Sequence, residues 1–191
     1  MTTLTLTVAT SADAYIARAH DDAPQNWASA EEQALFFQDV EAADWAIMGR
    51  NTHQAADKPH RRRIIFSSTM SGWHRPSQLW LEPAELAPAA LAPLVSGVYP
   101  LNQGLILGGT SVHDWFLAYD AIDMVNLTVE PVTFGGGLPI FGKQDSQDPV
   151  GVFLDRGFRI ASEDKLNATG TTYYKLERAR KNDGAASASA G

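Results

Sequence analysis

Residues 105–119, "LILGGTSVHDWFLAY", decide how the rest of the chain is read. Leu105, Ile106 and Leu107 form an apolar run of the kind a buried parallel strand leaves. The run ends in Gly108-Gly109, passes through Thr110-Ser111 and becomes amphipathic, so a helix is expected to start near Ser111. A plain strand-to-helix turn needs one glycine at most. Two glycines and two hydroxyls bring bare backbone N–H groups to a helix N-terminus, where the dipole favours an anion. The stretch predicts a strand, a tight turn and a helix, with a phosphate seat between them.

The same signature recurs on both sides. "TLTLTV" alternates apolar with threonine and predicts a strand over Leu4–Val8. "WAIMG" (45–49) and "RIIFSS" (63–68) are further short apolar runs, and "MVNLTVEP" (124–131) is another strand. "SAEEQALFFQDVEAAD" predicts a helix: Ser29 is placed as its cap, Glu32 stands three residues on, and Leu35, Phe36 and Val40 share a face. "EPAELAPAALAPLV" (82–95) carries three prolines and predicts broken helix. "FRIASEDKL" and "TTYYKLERA" predict two antiparallel strands around "NATG". Strand and helix alternate through most of the chain. The class is therefore α/β: one domain over residues 1–178, a mostly parallel central sheet flanked by helices, and C-terminal antiparallel strands. The small, polar stretch at 179–191 reads as a disordered tail.

Composition narrows the function. With 191 residues and 45% hydrophobic content, one packed domain is expected. A net charge of −7 argues against a nucleic-acid partner. The absence of cysteine removes disulfides and thiolate chemistry and fits a reducing cytoplasm. No apolar run approaches the ~18 residues of a membrane span, and the N-terminus has no basic segment of a signal peptide. The five histidines show no ligand spacing, so no metal is expected. Neither Ser67 nor Ser111 sits in a nucleophile elbow.

What remains is at the strand ends. The second strand ends in Gly49-Arg50-Asn51-Thr52, the third in Ser67-Ser68-Thr69 and the fourth in Gly108 to Ser111. Ligands of such sheets lie beyond the carboxyl ends of the strands. A polyanion with two phosphate regions suits this set: pyrophosphate at Gly108-Gly109, and a separate phosphate at Arg50 with the two serines. Each piece alone has a plainer reading. A Gly-Gly pair is a common turn, a lone arginine is usually solvated, and Glu31 and Glu32 in a first helical turn are most often caps.

The order "MGRNTH", "KPHRRRIIFSS", "LILGGTSVHDWFL", "NLTVEPVTFGGGLPIFG" resembles the dihydrofolate reductase superfamily, which includes the reductase domain of the riboflavin-pathway deaminase–reductase. The resemblance covers residues 4 to 176. It implies that Gly108, Gly109, Thr110, Ser111 and Val112 cradle the pyrophosphate of NADPH. It places Gly49, Arg50, Asn51 and Thr52 at its phosphates and 2′-phosphoadenosine, Ser67 and Ser68 across that adenosine, and Ala9 and Ile16 beside the nicotinamide. On the substrate side it matches Glu32 to the catalytic carboxylate, Phe36 to a phenylalanine stacked on the pterin, and Thr128 to a threonine supporting the carboxylate. An ungapped count would instead put Gln33 at the acid position. Arg61 matches the arginine that holds a folate carboxylate, with Arg62 or Arg63 as substitutes. "TVATSADAYIA" resembles the family's first strand and loop, with Ala14 in place of a glycine.

The resemblance implies a cytoplasmic NADPH-dependent reductase acting on a small molecule, with dihydrofolate favoured as the substrate. A ribosylaminopyrimidine of riboflavin synthesis is the alternative, and relatives of that type are often dimers. A nucleotide-binding protein without turnover is the rival of another class. Reducing a C=N bond takes a hydride and a proton, and only a buried acid, or a water ordered by one, delivers that proton.

Overall fold

The computed structural model describes residues 2–179. In chain order the elements are β1 (Thr3–Thr10), β2 (Tyr15–Ala17), α1 (Ala30–Ala42), β3 (Trp45–Gly49), α2 (Arg50–Ala55), β4 (Arg63–Phe66), β5 (Gly72–Arg75), β6 (Gln78–Leu81), α3 (Leu91–Val95), β7 (Gln103–Gly108), α4 (Thr110–Ala118), β8 (Met124–Val129), β9 (Leu138–Pro139), α5 (Pro149–Leu154), β10 (Phe158–Lys165) and β11 (Thr172–Arg178). Nine strands form one sheet in the order β10-β11-β8-β1-β7-β3-β4-β6-β5. The six from β8 to β6 pair in parallel; β11 and β10 at one edge and β5 at the other pair antiparallel. The short β2 and β9 pair separately. The α/β architecture expected from the sequence, with its late antiparallel strands, is observed.

Successive side chains of a strand point to opposite faces, and the sheet uses the two faces differently. Leu4, Leu6, Val8, Trp45, Ile47, Ile64, Phe66 and Ile106 point to one face. There they pack with Val112 and Phe116 of α4, Leu91 and Val95 of α3, and Val152 and Phe153 of α5. The other face holds a smaller cluster, Ala46, Met48, Ile65 and Trp80. α1 and α2 cover it: Asp39 of α1 accepts the Thr7 hydroxyl at 2.9 Å, and His53 of α2 stacks edge-on to Trp80. Glu32 is the buried residue of α1.

Some boundaries differ from the sequence reading. β1 runs to Thr10, two residues past Val8, because its end still pairs with β8 at Val129. α4 starts at Thr110, with Gly109 as its cap. The proline-rich stretch is broken as expected, into a 3₁₀ turn at Pro88–Ala90 followed by α3. The β5–β6 hairpin was not foreseen. Ala14 takes the left-handed backbone expected of a glycine, φ +65°. Its methyl is fully buried, and its carbonyl accepts the Gln144 amide at 2.9 Å, so the surroundings hold it there. Of the proposed tail, Ala179 donates to the Gly157 carbonyl at 2.9 Å; residues 180–191 lie outside the described part. No helix among the described residues is long and apolar enough to cross a membrane.

Candidate active site

Parallel pairing brings the carboxyl ends of β1, β3, β4 and β7 to one edge of the sheet. There the sheet also opens. β1 pairs with β7 as far as Leu6–Ile106, then continues with β8 alone to Thr10, while β7 continues with β3 to Gly108. The gap leads into a cleft of about 1400 Å³. That exceeds the 300–1,000 Å³ typical of a single small-ligand pocket. Of the residues singled out from the sequence, all but Thr128 and Gly108 line it.

One bank is the β7–α4 turn. Gly108 has φ +91°, and a Cβ there would meet the His113 ring at 2.5 Å, so Gly108 is fixed by conformation and by crowding. The Gly108–Gly109 peptide is cis. Gly109 has an ordinary φ of −75°, and nothing lies within 4 Å of a Cβ built on it. The positive φ thus belongs to the first glycine, and Gly109 is the bare backbone facing open space. The N–H groups of Thr110 and Ser111 find no acceptor among the described residues, while those of Val112 and His113 bond to the Gly109 carbonyl. The Thr110 hydroxyl is taken by the Pro139 carbonyl at 2.6 Å. His113 donates from Nδ1 to the Ile140 carbonyl at 2.8 Å, and burial holds its pKa down to about 4, so it is neutral.

On a second bank Gly49 caps α2, and Arg50, Asn51 and Thr52 form its first turn. Arg50 is exposed and reaches the Thr69 hydroxyl at 3.3 Å. No carboxylate pairs with it among the described residues, unlike Arg18, Arg61, Arg75, Arg159 and Arg178. Ser67 is buried, and its hydroxyl accepts the N–H groups of Thr69 and Met70 at 3.2 Å each. It shapes the turn that presents Ser68 and Thr69. Thr69, the last hydroxyl of that strand end, faces Arg50, a pairing the sequence reading gave to the two serines.

The third bank is α1 and the loop before β4. Glu31 is exposed and bonds to Asn167, Gln33 donates to the Ala28 carbonyl at 3.2 Å, and Glu32 is 5% exposed and faces the cleft. Of the three, Glu32 is the buried carboxyl; Gln33 also lines the cleft. Burial pushes the Glu32 carboxyl up to about 7, and the nearby charges of Glu130 and Asp39 add to the shift. Phe36 lies one turn on, at the cleft wall. Ser29 caps α1 by accepting the Glu32 N–H at 3.2 Å. Its own N–H does not return to Glu32, as a capping box requires; it donates to Glu130 at 2.8 Å. The Glu32 carboxyl is thereby left without a hydrogen bond among the described residues. Thr128, 4% exposed, forms no bond to it; it sits in β8 between Ala9 and Tyr173.

Arg61 pairs with Glu41 at the end of α1 and lines the cleft. Arg62 and Arg63 are committed elsewhere. Arg62 donates to the Asp44 carbonyl at 2.6 Å and lies over Tyr99, while buried Arg63 bonds to His53 Nδ1 and the Ala56 carbonyl. At the mouth, Ile16 of β2 packs on the core, and Asp13 holds the following glycine-rich loop through the N–H groups of Phe134 and Gly135.

The fold has solved counterparts. A putative riboflavin biosynthesis protein from Shewanella sp. PV-4 matches with a TM-score of 0.69 at 21% identity, over 93% of this chain and 99% of that one. RibD from Acinetobacter baumannii matches at 0.72 and 17% identity, over 94% of this chain; the match spans 59% of that longer chain. The dihydrofolate reductase of Enterococcus faecalis, solved with NADP(H) and RAB-propyl, matches at 0.62 and 18% identity, over 92% and 96% of the two chains. No protein-family model and no curated protein matches the sequence. The chain shares its fold with these solved structures, a dihydrofolate reductase among them and riboflavin biosynthesis proteins.

Proposed function

We propose that this protein is an NADPH-dependent reductase of a small C=N substrate, with dihydrofolate the favoured one. The observation that carries the reading is Glu32: a buried carboxyl with its pKa near 7, without a hydrogen bond among the described residues, on a cleft also lined by the bare helix N-terminus from Gly109 to Ser111. The residues present fit the cofactor. Gly109 leaves open space, the Thr110 and Ser111 N–H groups are free to meet pyrophosphate, and Arg50 with Thr69 suits a 2′-phosphate. NADPH bound there supplies a hydride. The chain supplies the rest. Phe36 and Ala9 offer apolar contact to flat rings, Arg61 offers a cation to an acidic tail, and Glu32 holds the proton for the substrate nitrogen, given directly or through one water.

A riboflavin-type substrate is the second reading. The Shewanella riboflavin biosynthesis protein is matched along nearly its whole length, and "FGGGLPIFG" belongs at least as much to that branch. The test is NADPH oxidation followed by absorbance, with dihydrofolate, with a ribosylaminopyrimidine 5′-phosphate, and with neither. Oxidation with dihydrofolate supports the first reading and oxidation with the pyrimidine the second. Tight NADPH binding with neither reaction supports the nucleotide-binding rival. A cytoplasmic location and a homodimer are part of the same proposal.

A further inference from the structure

We propose that Glu130 is a positioning residue: by taking the Ser29 N–H it keeps the Glu32 side chain in the cleft. The inference rests on the reading of Glu32 as proton donor. A helix beginning with serine and carrying glutamate at its third position normally closes on itself, the glutamate reaching back to the N–H of the cap. In this chain Ser29 and Glu32 have that spacing, and half of the box is formed. The other half is occupied from outside. Glu130, 3% exposed at the end of β8, accepts the Ser29 N–H at 2.8 Å with one oxygen and the Thr171 hydroxyl at 2.7 Å with the other. Thr171 is itself held by Asn167 at 2.9 Å. The donor that would capture Glu32 is therefore satisfied by a residue 101 positions away.

The charged groups bearing on Glu32 are Glu130 from the β8 end and Asp39 from its own helix. Asp39 is tied to Thr7 and to Asn126 at 2.8 Å. Arg61 is paired with Glu41. Removing Glu130 frees the Ser29 N–H, and the Glu32 carboxyl turns to it.

The experiment is an NMR titration of the Glu32 side-chain carboxyl in the wild type, Glu130→Ala and Glu130→Gln, with turnover measured in parallel. Glutamine still accepts from Ser29 and donates to Thr171, so it keeps the cap. Glu130→Ala is expected to bring the Glu32 midpoint down to the ordinary carboxylate range and to lose roughly 10²-fold in turnover. Glu130→Gln should recover most of that turnover, with a midpoint between the other two. If alanine and glutamine behave alike, in midpoint and in rate, Glu130 does not position Glu32. Should Glu130→Ala fail to fold, Thr171→Val, which loosens Glu130 without removing it, must still lower the midpoint; an unmoved one overturns the proposal. A shifted midpoint in a protein that reduces none of the substrates sustains the positioning role and sinks the reductase reading instead.

Discussion

On one face of the sheet Leu6, Ile47, Ile64 and Ile106 meet α3, α4 and α5 and are fully buried. On the other, Thr7, Ala9, Met48 and Leu107 line a cleft beneath α1, and the residue this helix buries is a glutamate. The first face gains stability from apolar area removed from water. The second gives that up: it leaves a cleft open and holds a carboxyl out of solvent, which costs stability once it ionises. The two faces should therefore respond to mutation in opposite ways: damage to the first unfolds the protein, and damage to the second leaves a folded protein that has lost activity.

The largest effect expected is on the packed face. Phe116 is fully buried, stacks on Phe66 and meets Trp115 edge to face. Phe116→Ala should cost about 3–5 kcal/mol, read by denaturant unfolding. Phe36→Ala, at the cleft wall, should cost far less stability and instead raise the KM for substrate. Equal losses of stability would erase the distinction between the faces.

The next effect runs against the usual sense of a buried substitution. The folded-state pKa of Glu32, about 7, lies above its ordinary 4.5, so the folded chain holds this proton more tightly than the unfolded one. Its contribution is most favourable below pH 4.5, is lost progressively as pH rises toward 7, and is flat above that. The full loss is on the order of 3 kcal/mol. Glu32→Gln removes the penalty. The variant should match the wild type at pH 4 and be the more stable of the two at pH 8, by thermal melts. A difference that does not grow with pH would mean that Glu32 is not held out of water as described.

The smallest effects are at the proposed cofactor wall. Arg50→Ala should weaken NADPH by about tenfold or more and leave NADH nearly unchanged. Gly109→Val places a branched side chain in the open space and should abolish binding of both cofactors, with the far-UV circular dichroism of a folded protein. Equal weakening of NADPH and NADH by Arg50→Ala would remove the 2′-phosphate from the account.

How much of this was legible follows from distance along the chain. Strand ends marked by glycine, arginine and hydroxyls are local signals, so Gly49 to Thr52, Ser67-Ser68 and Gly108 to Val112 could be read directly. Glu130 could not. "VEPV" reads as the end of a strand, and its partner is Ser29, brought near only by β8 lying beside β1. Thr69 stands at the third strand end in the sequence, but its place opposite Arg50 could not be read there, because Ser67, the better anion ligand on paper, spends its hydroxyl on its own turn. The β5–β6 hairpin had a usable signal, alternating residues around Pro76-Ser77, but its exposed strand carries few apolar residues.

The central claim is that Glu32 delivers the proton. It is tested most directly by the pH dependence of NADPH oxidation with dihydrofolate, wild type against Glu32→Gln, from pH 5 to 8. The wild-type rate should fall as pH rises through about 7, where Glu32 loses its proton. Glu32→Gln should be roughly 10²-fold slower near neutrality, with the deficit shrinking at low pH as solvent protonates the substrate. A variant that turns over dihydrofolate like the wild type across that range would contradict the account.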